Sequence, residues 1–185
     1  MPHSFPASSS RYGIALGSNL GDRLANLRDA VSEMQRRAPG MKLVAVAPVY
    51  ETAPVDCPEG SRAFYNTVVE MEGCLPPLEL IEILLGIEED LGRQRQHGWH
   101  EPRTVDLDLL YAGDITLNTS RLTLPHPRMA QRRFVLEPLA QIRPALVLPW
   151  QSQTVRELLT ALNHDEPAPV CVATDWVADH DRSAG

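Results

Sequence analysis

The sequence has no apolar run long enough to span a bilayer, and it has only three cysteines in 185 residues. Because Cys57, Cys74 and Cys171 are odd in number and widely spaced, they indicate neither a disulfide framework nor a CxxC zinc site. The opening residues, MPHSFPASSSR, lack the apolar core of a secretory signal. These absences exclude a membrane protein and predict a chain of the reducing cytoplasm.

A basic excess is also missing from the sequence. Lysine and arginine number 17 against 24 aspartates and glutamates, which gives a formal net charge of −7. A general nucleic-acid binder needs a basic surface to neutralise phosphates. We therefore expect no nucleic-acid partner, although a local basic cluster remains compatible with this charge.

Length and composition are those of one globular domain, with 43% hydrophobic and 22% charged residues. We expect a disordered leader over residues 1–10, a single folded domain over 11–164 and an irregular tail over 165–185, where proline, alanine and aspartate are frequent. The expected assembly state is a monomer.

Strand and helix patterns alternate in the order β-α-β-β-α-β. Predicted strands cover residues 11–18, 41–52, 63–72 and 104–111, and apolar residues at helical spacing mark helices over 24–34 and 76–91. This order predicts an α+β protein with a ferredoxin-like βαββαβ core, in which two helices pack on one face of an antiparallel sheet. The other face would then be open for a site, and a C-terminal hairpin near Asn118 and short helices would follow.

Two aspartates stand out in the last predicted strand, TVDLDLLY. Because strand side chains alternate, Asp106 and Asp108 share one face while Val105, Leu107 and Leu109 take the other. For an arbitrary D-x-D the commoner explanation is a solvated face. Three arginines lie just upstream, however, and Mg²⁺ prefers one or two carboxylates together with phosphate oxygens. The pair therefore suggests a site for a metal-bound polyphosphate.

Six motifs occur in a fixed order: ALGSNLGDR (15–23), VYETAPV (49–55), FYNTVVE (64–70), GRQR (92–95), PRTVDLDLL (102–110) and LPHPRMAQRRFVLEPL (124–139). Together they closely resemble the 6-hydroxymethyl-7,8-dihydropterin pyrophosphokinase family, over about residues 11 to 160. The resemblance implies a Mg²⁺-dependent enzyme of folate biosynthesis that transfers a diphosphate from ATP to a pterin alcohol and releases AMP. Its implied partners are small molecules, the pterin and ATP.

The resemblance also implies roles for individual residues on the nucleotide side. Asp106 and Asp108 would hold two Mg²⁺ ions that bridge the triphosphate of ATP, which is the co-substrate. The implied catalytic and phosphate-binding residues are Arg93, Arg95, Arg103, His126 and Arg132, and Glu88 matches an acidic position close to the nucleotide.

On the pterin side, the resemblance implies that Thr52 and Val55 belong to a loop whose backbone reads the ring. Asn66 would hydrogen-bond the ring, and Phe64 and Phe134 would sandwich it. The chain departs from the family at one place: many relatives carry an aromatic residue two positions before the proline of P-R-T, where this sequence has His100 with Trp99 beside it. The lid over the pterin could therefore be either of these two.

Other functions are compatible with parts of this sequence. His97 and His100 lack further ligands at the spacing of a zinc site, and GSNLG lacks the G-K-[ST] ending of a P-loop. A kinase or nucleotidyltransferase that uses the same aspartates would release ADP or pyrophosphate rather than AMP. A non-catalytic ferredoxin-like binding module would not need the paired aspartates at all.

Overall fold

The computed structural model describes residues 9–54, 60–92, 104–162 and 167–178. The strands are β1 (Ser10–Ser18), β2 (Lys42–Val46), β3 (Val49–Thr52), β4 (Phe64–Gly73), β5 (Asp106–Ala112), β6 (Leu117–Asn118), β7 (Thr123–Leu124) and β8 (Val170–Ala173). The helices are α1 (Arg23–Arg37), α2 (Pro77–Asp90), α3 (Arg133–Ile142) and α4 (Val155–Ala161), with a 3₁₀ turn at Met129–Gln131 before α3. Among the described residues, none of the helices has the length and apolarity that crossing a bilayer requires.

The main sheet is antiparallel and has the strand order β5-β1-β4-β3-β8, with β2 also paired to β4. This arrangement contains the predicted βαββαβ core, and β6 and β7 form the predicted hairpin. The strand predicted over 41–52 is divided into β2 and β3 at Ala47 and Pro48. Proline cannot donate a ladder hydrogen bond, which explains the break.

The helices α1 and α2 pack on one face of the sheet, as predicted. Their apolar stripes contribute Leu27, Val31, Leu80 and Leu84 to a buried core that also holds Leu107 and other strand residues. Asp22 caps α1 by accepting a hydrogen bond from the Ala25 amide at 3.0 Å, which fixes where the helix leaves the β1 turn.

The second face of the sheet is open only in part, so that expectation is partly wrong. The helix α3 covers it with Val135, Leu136 and Leu139, which form a second core with Leu110 and Tyr111. The pairing of β1 with β5 shifts register opposite Leu110, and the bulge turns Leu110 and Tyr111 toward the same core. The beginning of β5, with the two aspartates, is less covered.

Both predicted chain-end boundaries need correction. Ser10 is already part of β1, and β8 adds a strand beside β3 within the segment predicted to be irregular. Trp176 is only 2% exposed, and its indole N–H donates to the carbonyl of Ala47 at 2.8 Å. The folded unit therefore continues beyond residue 164.

Candidate active site

One row of residues crosses the sheet from β5, which carries the two aspartates, to β4, which carries Asn66. In the strand register, Asp106 lies opposite Gly17 and Gly17 lies opposite Asn66. The next row contains Asp108, Ala15 and Val68. Because directly opposed residues share a face, the carboxylates and the Asn66 amide all point away from α1 and α2. The predicted sharing of one face by the two aspartates is confirmed.

Arg132 brings a positive charge to this face from the start of α3. Its Nη1 lies 3.5 Å from Oδ2 of Asp108, whose side chain is 37% exposed. The same guanidinium lies 5.5 Å from the ring centroid of Phe134. The 3₁₀ turn and the first turn of α3 thus place a cation and an aromatic ring beside β5.

His126 is attached to the outer side of β5, where its amide donates to the carbonyl of Leu110 at 2.8 Å. Burial lowers the pKa of its imidazole, Asp108 opposes that shift, and Arg132 and Arg128 add to it. The ring is therefore neutral at pH 7. Because Nδ1 accepts from the Arg128 amide at 3.2 Å, the proton lies on Nε2, where it can be donated to an anionic oxygen.

Glu88 reaches the same strand from α2. Its side chain is 2% exposed, and Oε1 accepts a hydrogen bond from the Leu107 amide at 2.6 Å. Leu107 lies between the two aspartates on an edge strand, so in the described sheet its outward amide has no neighbouring strand to pair with. Glu88 therefore fixes the backbone that carries both carboxylates.

The predicted pterin residues in the described chain meet on the same face. Thr52 lies opposite Phe64, and the Asn66 amide nitrogen donates to Oγ1 of Thr52 at 2.7 Å. Asn66 is only 8% exposed, so this bond holds a nearly buried amide in one orientation. Phe134 on α3 is partly buried and packs against the second core on this face.

Several predicted site residues lie outside the described residues: Val55, Arg93, Arg95, Arg103 and the two lid candidates Trp99 and His100. The described residues that border 93–103 do meet each other. Gly92 has a φ of +112°, and a Cβ on it would lie 2.8 Å from Oγ1 of Thr104. The two described residues that flank the arginine-bearing segment thus lie beside each other, just before β5.

Sequence reasoning missed the residues that anchor Thr104. The Ser18 hydroxyl donates to the Thr104 carbonyl at 2.5 Å, and the side-chain amide of Asn26 donates to Oγ of Ser18 at 3.1 Å. The GSNLG motif signalled a turn but not this contact, because residues 18 and 104 are distant in sequence. A turn motif predicts the local backbone but not the distant residues to which its side chains hydrogen-bond.

The donor set fits magnesium better than a metal held by protein ligands alone. Within the described ranges, no group of three or more His, Cys, Asp or Glu side chains is placed to hold a metal ion. Two carboxylates on one face of a strand, beside an arginine, suit a cation that takes its other ligands from water and phosphate. Structural zinc would need four protein ligands.

Comparison with known proteins gives a family match over most of the chain. The family model described as 7,8-dihydro-6-hydroxymethylpterin-pyrophosphokinase (HPPK) matches residues 13–144. A 2-amino-4-hydroxy-6-hydroxymethyldihydropteridine pyrophosphokinase of Bacillus subtilis is 46% identical over 129 residues, which are 70% of this chain and 75% of that protein. The protein of the same name from Synechocystis is 37% identical over 169 residues, which are 91% of this chain and 85% of that protein.

Solved structures agree on the fold. The crystal structure of wild-type Plasmodium falciparum HPPK-DHPS with SDX-DHP aligns with a TM-score of 0.64 at 13% identity, over 83% of this chain and 44% of that chain. The chain thus spans less than half of that solved protein. At this identity, the likeness supports the ferredoxin-like architecture alone.

Proposed function

The chain belongs to the 7,8-dihydro-6-hydroxymethylpterin-pyrophosphokinase family, and on this basis we propose that the second face of its sheet is the active site. The reaction, a step of folate biosynthesis, transfers the diphosphate of ATP to the hydroxymethyl group of 6-hydroxymethyl-7,8-dihydropterin. AMP is the second product, because ATP loses its two outer phosphates. The observation that carries the proposal is the row in which Asn66, Gly17 and Asp106 face the same way across three strands.

Asp106 and Asp108 would hold two Mg²⁺ ions, which would neutralise the triphosphate charge and polarise the phosphorus that is attacked. The described chain supports this with the Glu88 contact to Leu107, since a strand fixed between two carboxylates keeps their spacing constant. We therefore assign Glu88 to positioning of β5, close to the nucleotide.

His126 and Arg132 would bind the phosphates from the α3 side. The neutral His126 offers Nε2–H, and Arg132 offers a planar pair of donors that matches phosphate oxygens. Arg93, Arg95 and Arg103 would complete the clamp, because the described residues on either side of them, Gly92 and Thr104, lie next to each other just before β5. Positioning and charge neutralisation supply most of the rate in phosphoryl transfer.

The pterin would lie over the β3–β4 end of the row. Asn66 would hydrogen-bond the ring with its Thr52-oriented amide, and the backbone near Thr52 and Val55 would read the ring edge. Phe64 and Phe134 would stack on the two faces of the heterocycle. Such a site rejects analogues that leave the nearly buried amide unpaired.

The test is to incubate the protein with ATP, Mg²⁺ and 6-hydroxymethyl-7,8-dihydropterin and to identify the nucleotide product. Pterin-dependent AMP is expected. Asp108→Asn should lower turnover at least about a thousandfold, because several kcal/mol of charge stabilisation are lost. Asp114→Asn, at an exposed position after β5, is the matched control and should keep parental turnover.

ADP as the product would indicate an ordinary kinase, and pyrophosphate would indicate a nucleotidyltransferase. Parental turnover in Asp108→Asn would show that the strand merely has a solvated face. Each of these results contradicts the proposal in a different way.

A further inference from the structure

Gly17 occupies the middle of the row that joins the pterin side to the metal side. Its neighbours across the sheet are Asn66 on β4 and Asp106 on β5. Adjacent strands lie about 4.8 Å apart, so the backbones of Asn66 and Asp106 are about 10 Å apart with Gly17 between them. A side chain at position 17 would project from the sheet into that interval.

The backbone does not require glycine at this position. Gly17 is absent from the residues of positive φ, so its conformation is one that alanine can adopt. The requirement comes from space. A Cβ on Gly17 would lie 2.9 Å from Oδ1 of Asn66 and 4.0 Å from Cδ1 of Phe64.

The Asn66 amide has little freedom to retreat from such a Cβ. Its nitrogen is held by Thr52 at 2.7 Å, which turns its oxygen toward β1, and the residue is 8% exposed. A methyl group at position 17 would push the oxygen away. The amide would then rotate or lose its bond to Thr52.

We infer that Gly17 is a positioning residue that sets pterin recognition. Because position 17 has no side chain, the amide oxygen of Asn66 can lie over Gly17, on the side of Asn66 that faces Asp106. The ring that this amide binds then lies within reach of the phosphates held at the aspartates. This inference rests on the proposed function and adds to it a residue that has no side chain of its own.

The experiment compares Gly17→Ala with the parent and with Gly86→Ala in steady-state kinetics. Gly86 on α2 is the matched control, since the nearest atom to a Cβ there is Nη1 of Arg37, at 3.9 Å. Gly17→Ala should raise the KM for dihydropterin roughly tenfold, the factor expected when one hydrogen bond of a nearly buried amide is misplaced. The KM for ATP should stay within about twofold of the parent, because the nucleotide contacts are unchanged.

A double variant tests whether the effect of Gly17→Ala on the pterin KM is transmitted through Asn66. In the Asn66→Ala background, Gly17→Ala should change the pterin KM less than about twofold, since no amide remains to be displaced. If Gly17→Ala alone lowers the unfolding midpoint, the double variant should recover the midpoint of Asn66→Ala. A fully additive effect on KM, or a double variant that fails to fold, would overturn the inference.

The outcomes also separate this inference from the proposed function. If the parent makes AMP but Gly17→Ala has the pterin KM of Gly86→Ala, the inference is wrong and the function stands. If the parent makes no pterin-dependent AMP, the function fails first, and the inference fails with it.

Discussion

Glu70 is a single buried carboxylate that joins four elements on the second face of the sheet. It is fully buried on β4, where Tyr111 of β5 donates to it at 2.8 Å and Arg11 of β1 lies 2.9 Å away. Arg143, at the end of α3, approaches within 3.6 Å. A buried charge is costly unless it is paired and hydrogen-bonded, so these partners stabilise one arrangement of strands and helix.

Tyr111 should contribute measurably to this arrangement. Burial and the neighbouring Glu70 raise the pKa of its phenol, so it stays a hydrogen-bond donor throughout the physiological range. Tyr111→Phe leaves the carboxylate with one donor fewer and should lower the free energy of unfolding by about 1–3 kcal/mol. Urea unfolding measures this.

Tyr12→Phe is the matched control for that prediction. The Tyr12 hydroxyl donates to the neutral carbonyl of Leu75 at 2.8 Å, so its loss should cost less. A larger loss of stability for Tyr12→Phe than for Tyr111→Phe would contradict the importance of the Glu70 cluster.

At the scale of elements, ion pairs join residues at the C-terminal end of α1 to one another and to the end of α2. Glu33 lies 2.6 Å from Nη2 of Arg36 and 2.5 Å from Nε of Arg37, and Nη1 of Arg37 lies 2.7 Å from Asp90. The hydrogen bond from Arg36 is the main cause that lowers the pKa of Glu33 to about 2, with Arg37 contributing. The cluster links the C-terminal ends of the two helices at the surface.

Glu33→Gln should therefore have a pH-dependent cost. Because the carboxylate has a lower pKa in the folded state than its ordinary value of 4.5, its contribution is fully present above pH 4.5 and is lost as pH falls through about 2. We expect a loss of about 0.5–1 kcal/mol at pH 7, limited by solvent screening. Urea unfolding of parent and variant should differ at pH 7 and converge near pH 2; an unchanged gap at pH 2 would contradict this.

Elements with strong local periodicity were predictable from the sequence, and those that depend on distant partners were not. The helical spacing of Leu27 and Val31 and the alternation of Leu107 and Leu109 directly indicated α1 and β5, and hence the face of the aspartates. The strand β8 is an apolar run of only four residues with largely exposed side chains, which is too short to distinguish a strand from a loop by its pattern. Its existence depends on the free edge of β3.

The same reason limited prediction of the site. The aspartate pair was visible because both residues lie on one strand. The contact between Gly17 and Asn66 depends on strand register, and the contact between Ser18 and Thr104 joins residues 86 positions apart. The sequence marks Glu88 only as an acidic residue on a predicted helix, because its hydrogen bond from the Leu107 amide depends on the packing of α2 against β5.

At the scale of the whole molecule, Trp176 is a C-terminal residue that is buried in the core beside α1. Its indole reaches the Ala47 carbonyl between β2 and β3, and its own carbonyl accepts from Nε of Arg28 on α1 at 2.7 Å. The C-terminal segment thereby supports both the helix layer and the strand that carries Thr52.

Trp176→Ala should lower the free energy of unfolding by about 3–5 kcal/mol, because it leaves a large cavity and removes one of the two hydrogen bonds that the Ala47 carbonyl accepts. Trp150→Ala is the matched control, since Trp150 is 86% exposed and its loss should change stability by less than about 0.5 kcal/mol. Denaturant unfolding of the two variants tests this. Equal losses would show that the segment after α4 is not part of the cooperative unit.

The contact between Trp176 and Ala47 also means that one partner is synthesised well before the other. The two residues are 129 positions apart, so the ribosome makes β3 long before the strand that covers it. During that interval β3 is an open sheet edge, of the kind that pairs with other chains. Chaperone protection of the growing polypeptide would matter most until β8 has left the ribosome, when the molecule can complete its own edge.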